Sequence, residues 1–174
     1  YAHWTAKTIK VTFHRNTSST DTLTSSETFT YDVANQKFGY KTDGTGRYSP
    51  MNDASVGFGS WKRDGYTMLG WSYSATGTAK DQTTYSNVSN AFIEKYAPNI
   101  DLYAVWKANT YTVTFNANGH GTAPAPIKVS YGGKLPRTKA EDTEDMHFIA
   151  WYRDEYCTGD AWDFGKDVVQ EDMT

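Results

Sequence analysis

The segment Thr8–Asn16 (TIKVTFHRN) decides the fold, because a matching segment, Thr110–Asn118 (TYTVTFNAN), follows 102 residues later. In both segments polar and apolar residues alternate, which is the pattern of a β-strand that buries one face. A strand that recurs at this distance predicts two copies of one structural unit.

Two further pairs of segments match at corresponding places. Gly65–Tyr73 (GYTMLGWSY) is similar to Asp145–Arg153 (DMHFIAWYR), and Tyr1–Trp4 (YAHW) is similar to Leu102–Trp106 (LYAVW). The first pair predicts a strand with a tryptophan in each copy. The second pair predicts a closing strand with the pattern Tyr-Ala-x-Trp.

These matches divide the chain into three parts. We interpret residues 1–7 as the end of a preceding repeat, 8–107 as a complete repeat and 108–174 as a second repeat that lacks its last strand. The first strands lie 102 residues apart and the tryptophan strands 80 apart, so the complete repeat carries 22 extra residues. We place this insertion in Ala34–Trp61 as a long loop, with a short strand around Lys37–Tyr40.

The remaining elements are predicted from alternation, helix caps and turn residues. In the complete repeat we expect one helix at Ser86–Tyr96. We expect four strands, at Ile9–Arg15, Glu27–Val33, Thr67–Ser74 and Ile100–Trp106. In the second repeat we expect strands at Thr112–Asn116, Ile127–Tyr131 and Phe148–Arg153. The fold class is therefore predicted as α+β, mostly β, with tandem β-grasp-like modules that have short four-stranded sheets and at most one short helix each.

The composition excludes several classes of protein. Six Trp and thirteen Tyr among 174 residues argue against a disordered chain. Cys157 is the one cysteine, so there is no internal disulfide, and no Cys/His cluster has metal-site spacing. The net charge of −3 gives no reason to expect a nucleic-acid partner, and no apolar run is long enough to span a membrane.

The order of these segments resembles the internalin B-repeat family, also called the Listeria–Bacteroides repeat. The matching segments of the complete repeat are Val11-Thr12-Phe13, Gly65-Tyr66, Gly70-Trp71 and Leu102–Trp106. Those of the second repeat are Val113-Thr114-Phe115, Trp151-Tyr152 and Trp162-Asp163-Phe164. The second repeat departs from the family pattern at Asp145-Met146 and at Ala150.

The resemblance implies a non-catalytic repeat module of a bacterial surface protein, which acts as a stalk, spacer or adhesive unit. It implies an extracellular location at the cell surface or cell wall, and a host or bacterial surface protein or glycan as partner. The alternative is a carbohydrate-binding module attached to a surface enzyme, and aromatic residues lining a cleft would favour it.

Four aromatic residues are the candidates for ligand binding, namely Trp61, Tyr48, Tyr73 and Tyr85. They lie in the insertion or on strands whose exposed face the sequence does not define. Aromatic side chains in such places stack on sugars or anchor a protein partner. The competing interpretation is that they cover the small core beneath the long loop.

We predict no catalytic, cofactor-binding or metal-binding residue. His147 lacks a nucleophile and an orienting acid in any recognisable pattern, and Cys157 lies on a polar turn. The acidic stretch Glu141–Asp145 lacks the spacing and glycine of a calcium-binding loop, which favours a solvated loop.

The terminal segment Tyr1–Trp4 suggests one mode of association. A second repeat without its last strand has an open sheet edge, and an open edge is a template for strand pairing. We expect Tyr1–Trp4 of one chain to insert beside the second repeat of a neighbour, with Trp4 in the position that Trp106 has in the complete repeat.

Overall fold

The computed structural model describes residues 1–42, 48–50 and 61–174. The chain divides into two compact units, Tyr1–Lys107 (unit 1) and Ala108–Thr174 (unit 2). The elements are, in chain order, β1 (Thr8–His14), β2 (Thr24–Thr30), β3 (Tyr40–Thr42), β4 (Tyr48–Pro50), β5 (Tyr66–Ser72), β6 (Gln82–Thr83), α1 (Asn90–Tyr96), β7 (Asn99–Ala108), β8 (Thr110–Val113) and β9 (Ile127–Ser130).

Unit 1 is built on a five-stranded sheet with the strand order β2-β1-β7-β5-β6. β1 pairs antiparallel with β2, as expected for strands joined by a short loop, and parallel with β7. The parallel ladder runs from Lys10 opposite Asn99 to His14 opposite Tyr103. β3 and β4 form a separate antiparallel pair.

The core of unit 1 lies on one face of this sheet. In β1 the apolar residues Ile9, Val11 and Phe13 are buried and the residues between them are more exposed, which confirms the period predicted from sequence. The buried residues that pack with them are Phe29, Phe38, Trp61, Trp71, Val88, Phe92, Ile93, Leu102 and Ala104.

Helix α1 covers part of this core. Ser89 caps it, because its hydroxyl accepts a hydrogen bond of 3.1 Å from the amide of Phe92. Phe92 and Ile93 are the buried residues of the helix. The predicted helix Ser86–Tyr96 is therefore correct at its end and four residues too long at its start, since Asn90 is its first residue.

Unit 2 has the antiparallel pair β8–β9, with Thr110 opposite Ser130 and Val113 opposite Ile127. Its buried core is small and consists of Val113, Phe115, Val129, Leu135, Trp162 and Val169. Trp151 is only partly buried at the edge of this cluster.

The prediction of four-stranded sheets is wrong for both units, because the described residues form sheets of five and two strands. In unit 1 the additional strand is β6, which pairs with β5 at Gly70 and Trp71. Gly70 has φ +152°, and a Cβ atom there would lie 2.4 Å from the carbonyl oxygen of Gln82. The corresponding residue of unit 2 is Ala150, which does have a Cβ atom.

The predicted strand Phe148–Arg153 of unit 2 is also wrong, since these residues have no strand pairing. In unit 1 the corresponding strand, β5, lies between β7 and β6. A strand needs a neighbour for its backbone hydrogen bonds, and β5 has two, β7 and β6. In unit 2 the described residue that pairs with β8 at the position of β7 is Met173, opposite Val113.

Two predictions for the insertion are corrected as well. The short strand expected at Lys37–Tyr40 is instead a single bridge, Lys37 to Asn87, followed by β3. β3 and β4 lie within the stretch predicted as a long loop. The rest of that prediction concerns residues 43–47 and 51–60, which are outside the described residues.

Trp71 is the largest buried side chain of unit 1, with 1% of its surface exposed. Its ring contacts Phe13 at 4.6 Å and Trp61 at 5.7 Å between centroids. Among the described residues its indole Nε1 has no hydrogen-bond partner, so the side chain contributes through packing.

We expect Trp71→Ala to destabilise unit 1 by about 3–5 kcal/mol, because it leaves a large cavity in a small core. Trp71→Phe keeps a ring against Phe13 and gives up no hydrogen bond, so its loss should be clearly smaller. Urea unfolding followed by the NMR signals of unit 1 measures both. Equal losses for the two variants would contradict this account of the core.

Asp21 organises the turn between β1 and β2. Its carboxylate accepts hydrogen bonds from Arg15 Nε and Nη2 at 2.8 and 3.0 Å, and from the Thr17 hydroxyl at 2.6 Å. The backbone amides of Thr17 and Leu23 donate to it as well. The hydrogen bond from Arg15 is the main reason why the pKa of Asp21 lies well below its usual range.

A carboxylate with a lowered pKa in the folded state stabilises the fold above its unfolded pKa of about 4 and loses that contribution as the pH falls. We therefore expect unit 1 to lose stability below about pH 4. Asp21→Asn should cost about 2 kcal/mol at neutral pH and reduce this acid dependence. Asp101→Asn, which removes an exposed pair with His14, is the control and should cost under about 1 kcal/mol. An unchanged acid dependence in Asp21→Asn would refute the assignment.

Candidate functional site

Two of the four aromatic candidates lie at one cavity of about 280 Å³. Trp61 and Tyr85 line it together with Gly39, Thr67, Met68, Trp71 and Thr84. Trp61 is 4% exposed and stands edge-on to Trp71, so it belongs to the core. Its position agrees with the interpretation that an aromatic residue of the insertion covers the core.

Tyr73 does not line that cavity. Its ring lies 5.1 Å from the ring of Tyr96 at an angle of 34°, and its hydroxyl accepts a 2.7 Å hydrogen bond from Gln82 Nε2. Burial raises the pKa of the Tyr73 hydroxyl. Tyr48 lies in β4, and its side chain is outside the described part of the structure. The structure therefore brings Trp61 and Tyr85 together and places Tyr73 elsewhere.

The residues considered for catalysis lie in exposed loops. His147 Nδ1 is 3.2 Å from Asp142 Oδ2, and the His147 side chain is 84% exposed. A hydrogen bond from the Phe148 amide is the main cause of the lowered pKa of Asp142. Cys157 is exposed and has φ +54°. Within the described ranges, no three His, Cys, Asp or Glu side chains converge as metal ligands.

Unit 2 carries an open groove of about 650 Å³. Val113–Asn118 line one side and Met146–Glu155 the other, with Met173 and Thr174 at one end. The aromatic ring of Trp151 lies 4.9 Å from that of Phe115 and 4.8 Å from that of Phe148. We call this feature the unit 2 groove.

The backbone at one end of the groove defines its place in the fold. Val113 forms a parallel bridge with Met173, through bonds from the Thr114 amide to the Met173 carbonyl (2.8 Å) and from the Met173 amide to the Thr112 carbonyl (3.1 Å). In unit 1, Val11 pairs in parallel with Ile100 of β7. The unit 2 groove therefore lies where unit 1 has the rest of β7.

Side-chain contacts repeat between the units in the same way. Phe13 contacts Trp71 in unit 1 at an interplanar angle of 55°, and Phe115 contacts Trp151 in unit 2 at 53°. The amide of Asp81 donates to the Trp71 carbonyl as the amide of Trp162 donates to that of Trp151, both at 2.8 Å. These matches support the alignment of the repeats at the tryptophan positions.

An asparagine links the two sides of the groove. Asn16 Nδ2 donates to the carbonyls of Ala75 and Ala104 at 3.0 Å each. Asn118, its equivalent, donates to the backbone carbonyl of Glu155 at 3.1 Å. Both asparagines have positive φ, +54° and +53°. Sequence reasoning did not identify this role, although the asparagine recurs at the end of the repeated segment.

Comparison with known proteins gives a family for unit 2. The family model described as the Listeria-Bacteroides repeat domain matches residues 111–174. No solved structure gives a significant match. Within the described residues, no helix has the length and apolar character needed to cross a bilayer.

Three relatives are similar over larger parts of the chain. Two proteins of Evansella cellulosilytica, both named as membrane proteins and one of them as Gly-rich, are 34% identical over 113 residues and 28% identical over 174. These alignments cover 65% and 100% of this chain and 16% of each relative. Internalin H of Listeria monocytogenes is 32% identical over 102 residues, which is 59% of this chain and 17% of that protein.

The chain thus spans about one sixth of the length of these relatives. The family match confirms the resemblance seen in the order of the repeated segments. Residues 111–174 of this chain therefore carry a Listeria–Bacteroides repeat domain, and the chain as a whole is similar in part to internalin H.

Proposed function

We propose that this chain is a non-catalytic, load-bearing repeat segment of a bacterial surface protein, which acts as a stalk or spacer for adhesive parts. The observation that carries the proposal is the parallel pairing of β1 with β7 in the middle of the sheet of unit 1. The parallel central pair and the helix that precedes β7 are also why we propose a β-grasp-like module.

The parallel arrangement determines how the unit bears tension. The chain enters unit 1 through β1 and leaves through β7. Because the two strands point the same way, a pull on the start of β1 and the end of β7 draws them in opposite directions along their axes. The hydrogen bonds between Lys10–His14 and Asn99–Tyr103 are then loaded together instead of one after another.

The connection to unit 2 supports the same role. β7 ends at Ala108 and β8 begins at Thr110, so one residue, Asn109, separates the two strands. Such a short connection leaves little slack between the strand that closes one unit and the strand that opens the next. Tension therefore passes along the chain from one sheet to the next.

The relatives support the location and the partner class. One is an internalin and two are named as membrane proteins, which favours a position at the bacterial cell surface or cell wall. A host or bacterial surface protein or a glycan is then the partner of the whole protein. A sugar-binding role for the aromatic candidates has less support, because Trp61 is buried and the ring of Tyr73 is packed at an angle against that of Tyr96.

Single-molecule force spectroscopy of the 174-residue chain, held at its two ends, tests the proposal. Unit 1 should give an unfolding event with a contour-length gain of about 340 Å, as expected for roughly 100 residues. Lys10→Pro removes the 2.9 Å hydrogen bond from the Lys10 amide to the Pro98 carbonyl, on the side of β1 that faces β7. It should lower the unfolding force of this event.

Thr28→Pro is the matched control. Thr28 is exposed on β2, and the register places its amide on the outer edge of the sheet, away from β1. Thr28→Pro should lower the β-strand propensity of its strand about as much as Lys10→Pro does, and it should leave the unfolding force close to that of the wild type. If both variants lower the force equally, or if unit 1 unfolds without a measurable peak, the load-bearing role is wrong.

A further inference from the structure

The indole Nε1 of Trp71 is a buried hydrogen-bond donor that has no partner among the described residues. Trp71 is 1% exposed, so this N–H group has also lost its contact with bulk water. The hydroxyl oxygen of Thr84, Oγ1, is buried and unpartnered in the same way. Buried polar groups are nearly always hydrogen-bonded, because an unpaired one costs free energy. Two such groups in one place indicate that a molecule other than this chain pairs with them.

Trp71 and Thr84 line the same cavity of about 280 Å³, which we call the unit 1 cavity. Thr67 at its outer end is exposed, whereas Gly39 and Trp71 are buried, so the cavity leads from the surface of unit 1 to its core. Small-molecule sites begin at about 300 Å³, so there is room for one sugar-sized ring.

Gly39 leaves the space beside the indole nitrogen free of a side chain. A Cβ atom at this position would lie 3.4 Å from Trp71 Nε1 and 3.3 Å from Trp71 Cζ2. Gly39 has φ +76°, which residues with a side chain rarely adopt. The backbone at residue 39 therefore lies close to the donor without a side chain that would cover it.

The backbone on the Thr84 side of the cavity has an uncommon conformation. Tyr85, which also lines the cavity, has φ +65°, outside the region that large side chains normally adopt. Its amide donates to the Phe38 carbonyl at 2.8 Å, and the Phe38 amide donates to the Ser86 carbonyl at 3.0 Å. These two hydrogen bonds fix the segment that carries Thr84 and Tyr85. Backbone strain of this kind is concentrated at binding and active sites.

The matching tryptophan of unit 2 indicates which kind of partner the donor takes. Trp151 Nε1 donates a 2.8 Å hydrogen bond to the carbonyl oxygen of Thr138. Trp71 makes the same contact with a phenylalanine of the first strand, but no carbonyl of the described chain accepts from its Nε1. A ligand in the unit 1 cavity can therefore supply a carbonyl oxygen that unit 2 supplies from its own backbone.

The walls of the cavity restrict the chemistry of this ligand. None of the described residues that line it is charged, so a charged ligand would lose water without gaining an ionic partner. Trp61, Trp71 and Tyr85 present large aromatic surfaces, which suit the C–H groups of a sugar ring. A peptide backbone carries a carbonyl and an amide at every residue and would need more polar partners than these two groups.

We propose that the unit 1 cavity binds a neutral acetamido sugar, with the acetamido group at the buried end. The acetyl carbonyl accepts from Trp71 Nε1, and the acetamido N–H donates to Thr84 Oγ1. The methyl group and the sugar ring pack against the apolar walls. An acetamido group fits because it is uncharged and carries one acceptor and one donor side by side.

This site differs from an exposed aromatic surface on which a sugar would stack from solvent. Trp61 is buried and serves as a wall of the cavity instead. Trp71 lies on β5 and Thr84 directly follows β6, so neither belongs to the ladder between β1 and β7. Sugar binding is therefore a function in addition to the mechanical one, and each can be tested without the other.

Titration of the 174-residue chain with N-acetylglucosamine, followed by proton–nitrogen NMR, tests the proposal. The indole N–H signal of Trp71, identified by its loss in Trp71→Phe, should shift with a Kd on the order of 1 mM. The indole signal of Trp151 should stay in place, because the Thr138 carbonyl already accepts from it. A Trp71 signal that does not move up to about 50 mM sugar would mean that the cavity holds ordered water only, and would overturn the proposal.

Three related compounds test the chemistry of the ligand. Glucose lacks both the carbonyl and the N–H, glucosamine has a charged ammonium group in their place, and N-acetylglycinamide has the amide without the ring. Each should bind at least about tenfold more weakly than N-acetylglucosamine, because each loses polar partners, neutrality or the packed ring. Equal binding of glucose or glucosamine would refute the acetamido group, and equal binding of N-acetylglycinamide would refute the sugar.

Thr84→Val tests the second polar group without changing the shape of the side chain. It should weaken N-acetylglucosamine binding about three- to tenfold, because one hydrogen bond is lost. Thr83→Val is the matched control, since Thr83 is exposed, precedes Thr84 directly and does not line the cavity. It should bind the sugar like the wild type. If the two variants bind equally well, the proposed site is wrong.

Discussion

The parallel pairing of β1 with β7 is the interaction on which unit 1 depends. β7 lies between β1 and β5, so without it the sheet separates into a β1–β2 pair and a β5–β6 pair. Leu102 and Ala104 of β7 also belong to the buried core, which joins backbone pairing to apolar burial in one strand.

The fold of each unit also depends on a small set of contacts that both units share. Phe13 with Trp71 and Phe115 with Trp151 join the first strand to the tryptophan segment in each unit. Asn16 and Asn118 join the end of the first strand to the turn that follows the tryptophan. These aromatic contacts and asparagine hydrogen bonds hold the tryptophan segment beside the first strand in each unit.

The sequence was sufficient to predict elements whose signal is local. Alternation of polar and apolar residues located β1 and β7, and the helix predicted at Ser86–Tyr96 contains α1. The sequence was insufficient where pairing with another strand decides whether a segment becomes a strand. Phe148–Arg153 resembles β5 in sequence, but local sequence does not report whether a partner strand is present.

The candidate site follows the same division. The aromatic residues near the insertion were identified from sequence. The burial of Trp61, however, depends on its contact with Trp71 of β5, and local composition does not show which residues contact each other. The role of Asn118 in holding the groove was missed, because a polar residue at the end of a strand is usually a simple turn residue.

The place of β7 in the sheet also governs the order of events during biosynthesis. His14 and Asp101, which form a 2.8 Å pair across the central ladder, are 87 residues apart in the chain. The middle strand of the sheet is therefore the last strand of unit 1 to leave the ribosome or a translocation channel. Long-range parallel pairing is slow, because the intervening chain must lose conformational entropy before the strand contacts contribute any favourable free energy. Unit 1 thus remains incomplete and extensible until its last strand is available.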